Sequence, residues 1–504
     1  MSKLGNLHNA ETKDTSYDHV LKYTGVFGGV QGLKMMVSAL RLKLTSYLLG
    51  GWGMGLISAY NSVFEFLNSA SSMGIPLNAT RQTSELFEKG SVEEIEHQVM
   101  VIRTWVLWTA LLSVFICLFF SPLISYFFFE HDWTRWPAVM LVSLVAVSNI
   151  IAEGECAILK GLRQVRKVAI IETILAVGTL LCTIPLYYVL GIRGVIVGLI
   201  ACGFLSAAVH LSFSLRLVPY RVKPMSARTF TEGLPLIKVG IPYVLAGVAN
   251  SSLRMIIPAI ILAQHTMKEL GHYNAGWQLM IGYSGLVFLA LESDYFPRLS
   301  AVNRDTRRMN ETINQQIDVC TLLISPFLVL LVMLMPIVLQ VLYVDEFLVV
   351  TGMATLSVFY TLLRCISLPM GYSILAKGHS IAYLVLEVCF VLLFGLLFWW
   401  LYGMLGLLGA GIAFSAGALY DVVVYFLYCH FRYGFSFRRS TLLFCVGQFV
   451  CLVVAVEYCY LVSPSPEEKF IAGGIAFLAS SGLSLYQLFH RSSCAKYLLR
   501  KFRS

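Results

Sequence analysis

Apolar stretches long enough to cross a membrane recur along almost the whole chain. A spanning helix needs about 20 mostly apolar residues, and hydropathy and length together predict about fourteen such spans. Their extents are 23–46, 55–78, 101–129, 136–158, 167–190, 193–216, 234–263, 274–296, 315–343, 348–376, 381–402, 405–431, 440–462 and 469–490. The connections between them are too short for a soluble catalytic domain. We therefore predict an all-α, polytopic membrane protein.

The composition also excludes an ordinary soluble fold. Of the 504 residues, 58% are hydrophobic and only 13% are charged, whereas a soluble domain carries about 25% charged residues. Residues 1–22 are polar and lack the apolar core of a cleavable signal peptide, so the first span is expected to stay in the mature protein. The twelve cysteines lie mostly in apolar runs without metal-binding spacing, and we interpret them as buried thiols. We expect no cofactor.

Basic residues are distributed unequally between the two sets of predicted loops. Of the 37 Lys and Arg residues, 28 lie in the tails and loops of one side and four in the loops of the other. Because cytoplasmic loops are enriched in basic residues, both termini are predicted to be cytoplasmic. The net charge of +9 follows from this topology and requires no nucleic acid partner.

An internal repeat relates the first six predicted spans to the next six. Four residues recur in the same order 215 positions later, where Glu172, Tyr187, Gly191 and Gly194 are matched by Glu387, Tyr402, Gly406 and Gly409. Lys160-Gly161 is paired with Lys377-Gly378 at a separation of 217, and Leu49-Gly50 and Pro76 are paired with Leu270-Gly271 and Pro297 at 221. Repeats of this kind are typical of transporters, and copies with an even number of spans share one orientation.

The repeat predicts the division of the chain into two lobes. The predicted parts are a cytoplasmic tail 1–22, an N-lobe 23–216, a cytoplasmic linker 217–233, a C-lobe 234–431, two further helices 440–490 and a basic cytoplasmic tail 491–504. An axis along the membrane normal should relate the lobes, as in transporters built from parallel repeats.

Two consecutive predicted spans each carry a continuous polar face. Steps of three and four residues place polar side chains on one side of a helix. The first span has Gln31, Lys34, Ser38, Arg41 and Thr45 at this spacing, and the second has Ser58, Asn61, Glu65, Asn68 and Ser72. The equivalent spans of the second copy add Asn250, Arg254, Gln278, Tyr283 and Glu292. We expect these four spans to line a central polar cavity, with Arg364 as a further candidate.

The charged residues of the spans also have structural interpretations. Lys34 and Arg41 can snorkel towards an interface, and Arg364 can reach the cytoplasmic side. Glu65 can form a structural ion pair with Lys34 or Arg41. Asp421 lies deep in its span without an evident partner. Local ion pairs with the basic loop 160–167 are expected for Glu153, Glu155 and Glu172.

The predicted cavity holds more cations than anions. Its cations are Lys34, Arg41, Arg254 and Arg364, and its anions are Glu65 and Glu292. Such a cavity attracts an anion, and the planar fork of arginine suits phosphate because it donates two hydrogen bonds at once. The amides of Asn61, Asn68, Asn250 and Gln278 are suited to sugar hydroxyls. The predicted substrate therefore combines phosphate with a polar glycan. No Walker motif is present, so we propose Glu65 and Glu292 as candidates for coupling to a proton or sodium gradient.

Residues 50–85 and 233–251 carry a family resemblance. The pattern consists of Leu49-Gly50, Gly55, Met73-Gly74-Ile75 and Arg81. It resembles the first two helices of Wzx-type polysaccharide flippases, which belong to the multidrug/oligosaccharidyl-lipid/polysaccharide (MOP) exporter superfamily. Residues 233–251 resemble the start of the seventh helix of these flippases.

The resemblance implies two six-helix, MATE-like lobes around a cavity that opens alternately to each side. The implied activity is not enzymatic: a flippase moves an undecaprenyl-pyrophosphate-linked oligosaccharide, such as an O-antigen or capsule repeat unit, to the outer leaflet of the bacterial cytoplasmic (inner) membrane. The implied partners are membrane lipids and the polysaccharide polymerase machinery. The cationic cavity of the family matches Lys34, Arg41 and Arg254 by location only.

Three alternatives stay open. The two additional C-terminal helices are shared with lipid II flippases, so lipid II of peptidoglycan is a second candidate substrate. A multidrug exporter of the same superfamily is disfavoured because it would need acidic rather than basic cavity residues. A membrane glycan polymerase is disfavoured because the predicted outer loops, such as 130–135 and 345–347, are short.

Overall fold

The computed structural model describes residues 17–89, 91–128, 136–224, 226–238, 241–282, 298–462 and 466–491, with 285, 288, 295 and 296. Within these ranges the secondary structure is almost entirely helical and contains no strand. The helices are α1 (Tyr17–Ser72), α2 (Ile75–Lys89), α3 (Val92–Phe128), α4 (Trp136–Gly161), α5 (Val165–Leu190), α6 (Gly194–Ser214), α7 (Ala227–Lys238), α8 (Ile241–Gln264), α9 (Met267–Trp277), α10 (Thr306–Leu342), α11 (Thr351–Ala376), α12 (Ser380–Leu405), α13 (Leu407–Tyr433), α14 (Arg439–Val456) and α15 (Pro466–Arg491).

The long apolar helices confirm a polytopic, all-α membrane protein. Nine helical segments of the described ranges are long and apolar enough to cross a membrane. The number fourteen stays a prediction, in part because ten of the 23 residues of the predicted span 274–296 lie outside the described residues. The cytoplasmic location of the termini also stays a prediction.

Glycine bends α1 where the sequence predicts the gap between its first two spans. Gly50 has φ 60° and ψ −169°, so α1 consists of two helical segments joined at a kink. Met73 and Gly74 then take positive φ angles of 48° and 71°, a backbone conformation that ends a helix. The predicted span 55–78 is therefore too long at its end, and Ile75 begins the separate helix α2.

Two further glycines allow the backbones of α1 and α9 to lie close together. A Cβ atom on Gly55 would lie 1.8 Å from the carbonyl oxygen of Met267, and one on Gly271 would lie 2.0 Å from that of Gly51. No side chain fits at these positions. The close approach gives a physical reason for Gly55 and Gly271, which the sequence pattern singles out.

The internal repeat is visible in the backbone. Helices α4 and α5 have the same lengths as α11 and α12, and each begins 215 residues before its counterpart. Gly191 (φ 56°, ψ −133°) donates its amide to the carbonyl of Tyr187, and Gly406 (φ 57°, ψ −134°) donates its amide to that of Tyr402. The same turn thus closes the same helix in both copies.

The predicted match at a separation of 217 is wrong by two residues. Arg163 (φ 57°) and Gly378 (φ 79°) hold the positive-φ position after α4 and α11, and their amides donate to the carbonyls of Lys160 and Leu375. The separation is therefore 215 here as well. The sequence pairing of Lys-Gly dipeptides failed because the first copy places arginine where the second places glycine.

The repeat also extends to α3 and α10. Both are 37 residues long, begin 214 residues apart, and carry an internal proline, Pro122 and Pro336, at equivalent positions. Each has a polar residue before its first turn: Ser91 accepts the amide of Glu94, and Asp305 accepts two first-turn amides. These N-caps define where each helix starts.

The described contacts group the chain into two compact units, Met1–Gly271 and His272–Ser504. The apolar core of the first unit is formed by α2, α3, α4 and α5 and includes the fully buried Ile102 and Ile158. The core of the second unit is formed by α10, α11 and α13 and includes Ile317 and Met370. The lobe boundaries derived from the sequence stay predictions.

Polar contacts attach the last two helices to α10 within the second unit. The buried carboxylate of Asp318 accepts hydrogen bonds from Thr441 of α14 (3.2 Å) and Gln487 of α15 (3.2 Å). In addition, Gln448 of α14 donates to the carbonyl of Ser480 on α15 at 3.0 Å. These contacts fix α14 and α15 against α10 of the second repeat.

Candidate functional site

A polar cleft lies between α1 and α5 in the first unit. Its volume is about 210 Å³, and it is lined by Lys34, Val37, Ser38, Arg41, Glu172, Leu175, Ala176 and Thr179. The structure thus brings together Lys34 and Arg41 as the helical spacing predicts. It adds Glu172, which sequence reasoning did not place in the site.

The inner charges of the cleft are paired. The Nζ atom of Lys34 lies 2.5 Å from Oε2 of Glu172, and the two side chains are 35% and 37% exposed. Sequence reasoning assigned Glu172 to local pairs with the basic loop 160–167, because that loop is adjacent in sequence. The structure corrects this assignment: α5 packs against α1, and Glu172 faces the polar side of α1.

The other end of the cleft has a positive charge without a matching carboxylate. Arg41 follows Lys34 by seven residues, or about two helical turns, and Thr179 follows Glu172 by the same number. Arg41 also interacts with Tyr187, farther along α5, so the two helices run in the same direction. Among the described residues, Arg41 forms no ion pair. The cleft therefore carries two cations and one anion.

A second ion pair links the segment of α1 that follows Gly50 to α8. Glu65 Oε2 lies 2.6 Å from an Nη atom of Arg254. One turn away, the hydroxyls of Ser69 and Ser251 are hydrogen-bonded at 2.7 Å. Both pairs are partly exposed, as expected for residues that line a polar passage. Glu65 thus pairs with Arg254, whereas the sequence interpretation paired it with Lys34 or Arg41.

The predicted amide residues have varied surroundings. Asn68 donates to Oε1 of Glu153 at 3.0 Å, so this amide holds a carboxylate of α4. Asn61 and Gln278 are half-buried. The structure does not describe the predicted residues Tyr283 and Glu292. It also does not describe the side chain of Asn250.

Arg364 belongs to a separate buried cluster in the second unit. An Nη atom of its guanidinium lies 3.0 Å from Oδ2 of Asp421, whose side chain is buried. Nearby, the hydroxyl of Tyr425 donates to Oε1 of Glu387 at 2.9 Å. Asp421 therefore has the partner that sequence reasoning did not find, because the two residues are far apart in the chain. Arg364 is thus paired with Asp421, whereas the sequence interpretation let it reach the cytoplasmic side.

A buried ion pair in the first unit corrects the expectation for Glu155, whose partner is Arg103 rather than the basic loop 160–167. Arg103 is 2% exposed and Glu155 is 3% exposed, and the two form a bidentate pair at 2.7 and 3.0 Å. Arg103 also donates to Ser214 Oγ and to the carbonyl of Pro219. Its position at a predicted helix end hid this role, since a terminal arginine is usually solvated.

The ring of Tyr220 packs against the guanidinium of Arg103 in this ion pair. The centre of the Arg103 guanidinium lies 5.0 Å from the ring centroid of Tyr220. Burial raises the pKa of the Tyr220 phenol, and the nearby Glu155 carboxylate adds to this rise. The pair thus fixes the segment after α6 against α3 and α4.

The fold is similar to that of solved membrane transporters. A solved structure described as the lipid II flippase MurJ in an inward closed conformation is similar, with a TM-score of 0.64 and 16% identity over 92% of this chain and 98% of that one. An inward-facing multidrug resistance MATE family transporter of the MOP superfamily has a TM-score of 0.60 and 13% identity over 80% and 94%. A MOP superfamily transporter from Pyrococcus furiosus, described by the reverse polarity of its binding pocket, has a TM-score of 0.54 and 15% identity over 81% and 93%.

The family follows from the sequence. Residues 48–351 match the family model described as polysaccharide biosynthesis protein, which covers more than half of the chain. The chain therefore belongs to this family and has the fold of MOP superfamily transporters. A search of curated proteins found no match.

Proposed function

We propose that this protein flips an undecaprenyl-diphosphate-linked oligosaccharide from the inner to the outer leaflet of the bacterial cytoplasmic membrane. The observation that carries the proposal is the excess positive charge in the cleft, where Arg41, two helical turns from Lys34, has no carboxylate partner among the described residues. A cleft with this charge attracts phosphate. The polysaccharide biosynthesis family and the MOP fold support a flippase acting by alternating access.

We assign the diphosphate to Lys34, Arg41 and Arg254. Because Lys34 and Arg254 are each paired with a glutamate, Arg41 is the first contact that an incoming diphosphate can make without breaking an ion pair. The amides of Asn61, Asn68, Asn250 and Gln278 are the candidates for the glycan. The prenyl chain would stay in the lipid. Arg364 has a structural role in this scheme, since Asp421 neutralises it inside the second unit.

The test is transport of a fluorescent farnesyl-diphosphate-linked N-acetylglucosamine by the full chain in lipid vesicles. Arg41→Ala should reduce the transport rate at least tenfold, because it removes the cation that has no carboxylate partner. Arg41→Lys should recover part of it. Arg81→Ala is a matched control, since it removes an exposed arginine paired with Glu85 outside the cleft. A wild-type rate for Arg41→Ala would refute the assignment.

Coupling to a proton or sodium gradient is proposed at Glu65 and Glu292. The position of Glu65 supports this assignment. Its carboxylate is partly exposed and paired with Arg254, so it can exchange this arginine for a proton or a sodium ion during a transport cycle. Transport by Glu65→Gln in the same vesicles should lose its dependence on an imposed pH or sodium gradient. An unchanged dependence on both gradients would exclude Glu65 as the coupling residue.

Lipid II is the second candidate substrate. The observation in its favour is the similarity to the MurJ structure over 92% of this chain. A competition assay separates the candidates, because unlabelled lipid II would inhibit transport of the fluorescent probe strongly only if the glycan site accepts its peptide-bearing sugar. A multidrug substrate is disfavoured, since most such compounds are cationic and the cleft is positive.

A further inference from the structure

The ion pair in the cleft occupies the position that a substrate phosphate would take. Glu172 places its carboxylate 2.5 Å from the Nζ atom of Lys34, at one end of the same cleft that holds Arg41. A carboxylate and a phosphate oxygen make similar charge-assisted hydrogen bonds to lysine. Both ligands therefore compete for one cation. This inference rests on the function proposed above.

We infer that Glu172 is a specificity-determining residue, which acts as an internal counter-ion of Lys34 and yields to a diphosphate but not to a single phosphodiester. With Glu172 on Lys34, the cleft carries a net charge of one, on Arg41. With Glu172 displaced, the cleft presents two cations. The position of the Glu172 side chain thus determines whether the cleft is complementary to one negative charge or to two.

The charges of the two ligand classes match these two states. Each phosphate of a diphosphate diester keeps one ionised oxygen, so a sugar-diphosphate lipid brings two negative charges. A sugar-phosphate lipid brings one, which Arg41 alone can neutralise while Glu172 stays in place. Only the diphosphate gains a second cation by displacing Glu172, so the exchange favours lipid-linked sugars of the diphosphate class.

The exposure of the pair makes the exchange feasible. Both side chains are about one-third exposed, and exposed ion pairs contribute only about fivefold or less to an equilibrium constant. A charge-assisted hydrogen bond from Lys34 to phosphate contributes about tenfold or more. For the second phosphate of a diphosphate, whose charge Arg41 has not neutralised, breaking the pair therefore costs less than the new contact provides.

The displaced carboxylate has alternative partners nearby. Glu172 interacts electrostatically with His210 of α6. Glu172 and Lys160 of α4 both interact electrostatically with Cys156, which places Lys160 in the same neighbourhood. A rotation of the Glu172 side chain away from α1 would direct it towards these basic groups. Lys160 and His210 are therefore the candidate partners of the displaced carboxylate.

The test measures binding of two synthetic probes to the purified full chain in detergent by isothermal titration calorimetry. The probes are farnesyl-diphosphate-N-acetylglucosamine and farnesyl-phosphate-N-acetylglucosamine, which differ by one phosphate. The wild type should prefer the diphosphate. Glu172→Gln should strengthen binding of the diphosphate by up to about fivefold, because no ion pair then has to be broken, and should strengthen binding of the phosphodiester by less. The preference for the diphosphate over the phosphodiester should therefore widen.

Two further variants separate this role from a purely structural one. Glu172→Asp keeps the charge and should keep the preference of the wild type. Glu387→Gln makes the same change at the equivalent position of the second repeat, outside the cleft, and should leave the preference unchanged. If Glu172 only orients Lys34, Glu172→Gln will weaken binding of both probes, and the inference is overturned.

The outcome also distinguishes this inference from the proposed function. If the diphosphate probe binds and Arg41→Ala abolishes its binding, but Glu172→Gln leaves the ratio of the two affinities unchanged, only the role of Glu172 fails. If neither probe binds the wild type more tightly than it binds a Lys34→Gln/Arg41→Gln variant, the proposed function itself fails.

Discussion

Replacing Arg103 tests how the first unit holds its buried charges. In Arg103→Leu, the carboxylate of Glu155, which is 3% exposed, loses both of its guanidinium hydrogen bonds. Removal of one member of a buried ion pair costs about 3–5 kcal/mol, because the other charge stays buried without a partner. The hydrogen bonds from Arg103 to Ser214 and Pro219 are lost as well.

The second repeat supplies the matched control. Its positions equivalent to Arg103 and Glu155 are occupied by Ile317 and Met370, both fully buried. In the double variant Arg103→Ile/Glu155→Met no charge remains, and a buried pair replaced by apolar residues is often neutral or stabilising. Its remaining cost is the loss of the hydrogen bonds from Arg103 to Ser214 and to the carbonyls of Val218 and Pro219, about 1–3 kcal/mol. The double variant should therefore be more stable than Arg103→Leu.

The assay is thermal unfolding of the full chain in detergent, followed by tryptophan fluorescence, with limited proteolysis of residues 215–224 as a second readout. Arg103→Leu should have the lowest Tm of the series. Both variants should be cleaved faster than the wild type in this segment, since each loses the hydrogen bond from Arg103 to the Pro219 carbonyl. If the double variant unfolds at or below the temperature of the single variant, the buried carboxylate is not the source of the instability.

Two further predictions concern the glycines. Gly55→Ala should lower the Tm strongly and Gly474→Ala should not, because the first Cβ would meet the Met267 carbonyl at 1.8 Å and the second meets open space within 4 Å; equal Tm values would contradict the close helix contact. Gly191→Ala and Gly406→Ala should each destabilise by about 1–2 kcal/mol, because both residues have positive φ. Clearly different Tm shifts for these two variants would argue against the equivalence of the turns.

The fold was predictable because its main signals are local. Apolar length defines helices such as α5 and α12, and the equal spacing of Tyr187-Gly191 and Tyr402-Gly406 reveals the repeat in the amino-acid sequence itself. The polar face that joins Lys34 to Arg41 is also a local pattern. These features depend on residues within a few turns of each other.

The partners of the charges could not be predicted in the same way. Glu172 lies 138 residues from Lys34, and Arg254 lies 189 residues from Glu65. Each carboxylate has nearer basic residues in the sequence, and only helix packing selects among them. Arg103 is a similar case. Its place in the sequence assigns it to a solvated helix end, but its tertiary contacts bury it.

The attachment of the last two helices has a consequence for how such chains vary in length. Asp318 is 4% exposed, and it accepts hydrogen bonds from α14 and α15. A shorter homologue that ends after the equivalent of α13 would turn this carboxylate towards the hydrocarbon, where an ionised side chain is strongly disfavoured. Gain or loss of the two helices in evolution should therefore be accompanied by exchange of Asp318 for an apolar residue, so this single position should record which members of a lineage carry them.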